Sequence, residues 1–190
     1  MNKKLVAAAI AAAMAAPAAF ADVTVYGKAH VSINSVDGDG AAYDGESISS
    51  RASRIGFKGS EDLGNGLKAV WKFESEIKID NSSGLSGGRD AYLGMAGNFG
   101  TFLAAGRINT PYKKSTGKLD FFGDTLVDYN NTVRIEDNRV NNALVYISPK
   151  FSGAQFAGAI VAGESAANNS LAEAYSVALT YKNAGIIGAI

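Results

Sequence analysis

The stretch from Arg51 to Ile79, RASRIGFKGSEDLGNGLKAVWKFESEIKI, constrains the fold more than any other part of the chain. After Gly64-Asn65-Gly66, the residues Leu67, Ala69, Trp71, Phe73, Ser75, Ile77 and Ile79 occupy one phase of a period-two pattern. Lys68, Lys72, Glu74, Glu76 and Lys78 occupy the other, interrupted only by Val70. Successive side chains of a β-strand point to opposite faces, so this is a strand with one apolar and one charged surface. The run is about twice the ~5–6 residues usual for a strand in a soluble protein. Before the turn, Ile55 and Phe57 alternate with Arg54 and Lys58. The two runs form a hairpin with an apolar outside and a charged inside, the pattern of a barrel in lipid with a wet lumen.

The N-terminus reads as an address. Asn2-Lys3-Lys4 is a short basic region, Leu5 to Ala16 is apolar, and Ala19-Phe20-Ala21 follows Pro17 as an A-x-A cleavage site. Residues 1–21 are therefore expected to be a secretory signal peptide, and 22–190 the barrel domain. The apolar core is too short for the ~20 residues of a membrane-spanning helix. Lys plus Arg and Asp plus Glu are equal at 18 each, which implies no polyanionic partner such as nucleic acid. Cysteine is absent, which excludes disulfides, thiolate metal sites and a cysteine nucleophile.

The alternation continues along the chain. Strands are expected at Val23–Asn34, up to Gly59, Leu67–Ile79, Arg89–Gly97, Thr101–Asn109, Arg139–Lys150, Ala154–Ala162, around Tyr175–Lys182, and from Ile186 onward. Short turns follow the second, fourth, sixth and eighth strands, and long loops follow the first, third, fifth and seventh. This is an antiparallel up-and-down meander, all-β, with its short turns at one end. Phe57, Trp71, Phe99, Phe102, Phe151, Phe156 and Tyr181 lie near the short-turn end, as an interfacial aromatic girdle would. An ordinary sandwich core is the alternative for these rings. No helix is evident from the pattern.

Several segments resemble the general porins of Gram-negative bacteria, and most of all the trimeric porins of the neisserial and β-proteobacterial type. They are Val25-Tyr26-Gly27-Lys28, the run Ser53 to Ala69 (SRIGFKGSEDLGNGLKA), Arg89-Asp90-Ala91-Tyr92-Leu93-Gly94, Phe99-Gly100, Gly106-Arg107, Asp137-Asn138-Arg139 and Asn142-Ala143-Leu144-Val145-Tyr146-Ile147-Ser148-Pro149. The resemblance implies a sixteen-stranded transmembrane barrel, assembled as a homotrimer in outer-membrane lipid and lipopolysaccharide. It also implies that this chain is the N-terminal half of such a barrel, eight strands and a stub. Val145 and Ile147 depart from the pattern by placing apolar side chains on the expected lumen face.

The resemblance further implies a channel for ions and small hydrophilic solutes, without cofactor or catalysis. A constriction needs a segment folded into the lumen. Thr110–Asn138, the third long loop, is the candidate, with Asp120-Phe121-Phe122-Gly123-Asp124 as its acidic tip. Phe121 and Phe122 are expected to press that loop against the wall. Asp120 and Asp124 would then face Lys28, Arg54, Arg89, Arg107 and Arg139, each assigned to the polar face of its strand. Glu136 and Asp137 read as loop-end surface charges. An outer-membrane binding or adhesion barrel acting through its loops is the alternative. Catalytic readings are weak. His30 has no second histidine or cysteine to work with, and Glu74 and Glu76 read as members of a charge ladder with Lys72 and Lys78.

Overall fold

The computed structural model describes residues 22–37, 45–117, 120–128, 138–164, 169–184 and 186–189. The expected signal peptide, and the expected surface charges Glu136 and Asp137, lie outside them. The described strands are β1 (Asp22–Lys28), β2 (Val31–Val36), β3 (Gly45–Ser50), β4 (Arg54–Gly64), β5 (Leu67–Lys78), β6 (Gly84–Gly97), β7 (Gly100–Asn109), β8 (Arg139–Ile147), β9 (Ala154–Val161), β10 (Ala174–Asn183) and β11 (Ile186–Ala189). One antiparallel sheet runs β1-β4-β5-β6-β7-β8-β9-β10-β11, and β2 pairs with β3 alone. The all-β meander expected from the alternation is present. No described helix is long and apolar enough to cross a membrane.

The expected first strand, Val23–Asn34, is two strands in two sheets. At the break, Ser53 Oγ takes the N–H of His30 and donates to its carbonyl, both at 2.9 Å. Arg51 N–H also donates to the His30 carbonyl at 2.8 Å. The alternation runs through this junction unchanged, so periodicity cannot see it. β2 and β3 then form their own hairpin, with Ile33 opposite Ile48 on one face and the Asn34 amide donating to Ser47 and Ser49 on the other. β4 extends past Gly59 to Gly64, and β6 begins at Gly84 rather than Arg89. β8 stops at Ile147, short of the expected Lys150.

The two faces of the main sheet differ as the pattern requires. Register aligns Ala69, Met95, Phe102, Tyr146, Gly158 and Val177 in one outward row across six strands. Leu93, one row along, is 61% exposed, so the outward face presents large apolar side chains that the sheet itself does not cover. Near the short turns Phe102 stacks between Phe99 and Tyr146, at centroid distances of 5.8 and 4.7 Å. The turn at Asn65-Gly66 has positive φ at both residues (52° and 76°), which matches the strand twist in a two-residue hairpin.

On the inner face Leu103, Ala105, Ile108, Ala143, Val145 and Ala159 are buried together, with Ile147 packed against them. Part of what covers this apolar bed is a helix the alternation did not predict, α1 (Pro111–Thr116). The Thr110 hydroxyl caps it by accepting from Lys113 N–H at 3.2 Å, and Pro111 opens its first turn. Tyr112 N–H donates to Ser176 Oγ on β10 at 3.3 Å, which fastens α1 to the far part of the sheet. The apolar Val145 and Ile147 on the inner wall thus have a physical reason.

Candidate functional site

Tyr26 on β1, Gly56 on β4 and Glu74 on β5 lie in one inward row. A Cβ at Gly56 would sit 2.4 Å from the Tyr26 ring, so the glycine leaves the space the ring occupies. Across it, Tyr26 Oη donates to Glu74 Oε2 at 2.6 Å. The β5–β6 register shifts between Phe73, opposite Ala91, and Ser75, opposite Gly88. Glu74 therefore faces both Arg89 and Asp90, the two-against-one arrangement of a β-bulge. Arg89 Nε donates to Glu74 Oε1. Lys72 Nζ bridges Glu74 Oε2 at 3.2 Å and Asp90 Oδ2 at 3.1 Å. Asp90 Oδ1 accepts from Arg139 Nε at 3.2 Å and from Asn109 N–H at 3.3 Å. Glu74 and Asp90 are only 5% and 4% exposed, so their charges are held by paired partners rather than by open water.

A second cluster lies toward β1. Lys28 and Arg54 are register partners, and both reach Asp124, at 3.0 and 3.8 Å. Asp124 sits at positive φ (64°), and its N–H donates to Asp128 Oδ2 at 2.8 Å. The segment that begins with α1 on β10 thus also contacts β1 and β4. One segment can touch both flanks of a nine-stranded sheet only if the sheet curls around it. Lys114 of α1 points into the same concave space, 6.0 Å from the Tyr92 ring centroid. Desolvation there holds its ammonium below the usual range.

The residues expected to oppose one another are therefore divided. Lys28, Arg54 and Asp124 meet. Arg89 goes to Glu74, and Arg139 to Asp90. Asp120 does not face the arginines: its Oδ1 accepts from Phe122 N–H at 3.0 Å and closes its own turn. Arg107 donates to Gly88 O and to Asn141 Oδ1, at 2.8 and 2.6 Å, beside the β6–β7 register shift between Ala91 and Tyr92. Phe121 and Phe122 are 92% and 59% exposed, so among the described residues they are not pressed against the wall; they form the tip of the turn. Tyr26, Lys72, Asp90 and Lys114 were not expected, and Glu74 is the centre of a buried network rather than a ladder rung. The sequence signal was a glycine, Gly56, on the polar face opposite a tyrosine. Among the described residues no group of three or more His, Asp or Glu could hold a metal.

Comparison with known proteins places this architecture. The profile of the Gram-negative porin family matches residues 7–189. The major outer membrane protein P.IB of Neisseria gonorrhoeae is 34% identical over 197 residues, covering 97% of this chain and 55% of that protein. The same-named protein of Neisseria meningitidis serogroup B is 37% identical over 193 residues, covering 97% and 56%. The chain thus spans about half the length of the relatives it matches. Among solved structures, the anion-selective porin from Comamonas acidovorans superposes with a TM-score of 0.71 at 25% identity, over 90% of this chain and 56% of that one. A loop-deletion variant of OmpT from Vibrio cholerae shares the fold, with a TM-score of 0.57 at 19% identity, over 86% and 49%. A curled antiparallel meander with an apolar outside, a charged inside and one long segment folded across its concave face belongs, with this match along nearly its whole length, to the Gram-negative porins of the outer membrane.

Proposed function

We propose that the protein forms a water-filled channel for passive diffusion of ions and small hydrophilic solutes, with anions favoured. One observation carries this reading: Asp124, on the segment that crosses the concave face, reaches Lys28 and Arg54 on the wall. Opposed charges across a narrow wet gap create a transverse field that orders water. A nonpolar solute must displace that water and gains little in return, whereas a hydrated ion or polar solute crosses more easily.

In this reading Lys28, Arg54 and Asp124 are the selective contacts, and Arg89 and Arg139 contribute charge that Glu74 and Asp90 largely offset. Arg107 and Asp120 contribute least, since neither reaches the bridge. Cations outnumber carboxylates on the inner wall, which supports an anion preference like that of the anion-selective porin from Comamonas acidovorans. Export through residues 1–21, homotrimer assembly, and contact of the apolar face with lipid and lipopolysaccharide complete the proposal.

Reversal potentials in asymmetric salt, measured on the protein in planar bilayers, test it. Anion-directed potentials that move toward cations in Lys28→Gln/Arg54→Gln are expected. Absence of conductance, or a potential indifferent to both substitutions, would overturn it.

A further inference from the structure

A cavity of about 240 Å³ lies between α1 and the inner wall of β8–β10. It is smaller than the roughly 300–1,000 Å³ that drug-sized ligands occupy, so it suits a small ion with some of its water. Lys114 of α1, Lys150 of the β8–β9 connection and Lys182 near the β10–β11 turn all line it. None of the three forms an ion pair with a described carboxylate. The acid that acts on Lys114 is Asp90, already committed to Lys72 and Arg139.

The neutral side chains around the cavity direct donor hydrogens to the protein itself. Ser115 Oγ donates to Tyr112 O, Gln155 Nε2 to Ser148 O, and Thr180 Oγ1 to Gln155 O. Asn109 is the exception: its Oδ1 is buried and accepts no hydrogen bond from the protein. The cavity therefore offers three positive charges beside one buried acceptor that the described protein leaves unsatisfied. An anion satisfies the lysines, but only an anion carrying its own hydroxyl can also donate to Asn109.

We propose that this cavity, separate from the Asp124 bridge, binds a small oxyanion that retains a hydroxyl, of the hydrogen phosphate kind. Sulfate has the same shape and oxygen atoms but no proton to give at neutral pH, so it is the matched competitor. The lysines lead from α1 toward the short-turn mouth, where such an ion would be held before or after the bridge. The inference rests on the wet lumen of the channel reading, but its test does not use conductance.

The test is acylation of lysines by an amine-reactive reagent, read by mass spectrometry on the detergent-solubilised protein in phosphate or in sulfate of equal ionic strength. Lys58, on the inner face outside the cavity, is the reference. Phosphate should slow Lys114, Lys150 and Lys182 relative to Lys58 by roughly tenfold more than sulfate does, the order expected for one hydrogen bond to a charged group. Asn109→Ala should make the two ions equal. Lys182→Gln, a change at an exposed position, should weaken protection of Lys114 and Lys150 while leaving the fold intact. Equal slowing at Lys58 would reveal an ionic-strength effect and overturn the site. Equal protection by the two ions in the parent would overturn the role of Asn109, its oxygen then being satisfied by water. A protein that conducts but shows no protection would retain the channel and lose this site.

Discussion

The inner wall carries two neighbouring charge clusters that share strand β1, and they are built on different terms. Around Glu74 and Asp90, every carboxylate oxygen has a partner and both acids are nearly inaccessible. Around Asp124, the side chains of Lys28 and the aspartate remain 39% and 34% exposed. Buried charges must be paired or they cost several kcal/mol each, so the first cluster acts as a structural bolt. Exposed pairs are worth about 0–1 kcal/mol and are screened by salt, so the second can make and break contacts with passing ions. Charge near a pore axis need not stabilise the wall to be useful, and charge that stabilises the wall is partly hidden from the pore.

Breaking the bolt should have the largest effect. Glu74→Leu leaves Arg89 and Lys72 without that acceptor and should destabilise the protein by about 3–5 kcal/mol in thermal melts followed by circular dichroism in detergent. A loss below about 1 kcal/mol would erase the contrast between the clusters. Gly56→Ala comes next, because its Cβ would strike the Tyr26 ring; a cost of about 1–3 kcal/mol is expected. In a Tyr26→Ala background the same change should cost much less, and an undiminished cost would mean that Gly56 serves something other than the ring.

Lys28→Gln/Arg54→Gln should change stability by less than about 1 kcal/mol while moving the reversal potential toward cations. The shift should shrink as salt rises. Arg139→Gln should move the potential less, since Asp90 already offsets its charge; an equal shift would place Arg139 at the bridge. The smallest effect belongs outside the barrel. Asp80 lies beyond β5, and Ser50 N–H donates to its Oδ2 at 2.8 Å, which holds the carboxyl below its usual range. A lowered folded pKa means the contact is present above the ordinary carboxylate range and is lost as pH falls through the lowered value. The Ser50 amide resonance should follow that titration, and an amide unmoved into strong acid would show that Asp80 does not hold it.

The strands were legible because lipid and water impose opposite demands on alternate residues, and a spanning strand must answer both at every step. β4 and β5 were readable for that reason, with the Asn65-Gly66 turn between them. The break after Lys28 was not, since Val31 and Ile33 keep the phase of Val23 and Val25 while leaving the sheet. α1 had a signal in Thr110-Pro111, a cap followed by a first-turn proline, but six residues are too few for a helical period to show. Arg89 and Asp90 are sequence neighbours, so strict alternation sends them to opposite faces. Only the bulge opposite Glu74 brings both inward.

The class of fold, its apolar and charged faces, the short-turn end and the family were all readable from the residues. Those follow from local periodicity and from motifs within a few residues of one another. Which charges meet depends on contacts between distant parts of the chain. Tyr26 and Glu74 are 48 positions apart, and Lys28 and Asp124 are 96 apart. Such pairs depend on strand register, on two-against-one bulges and on the path of one segment across a curled sheet. A one-residue change in register turns every side chain to the other face.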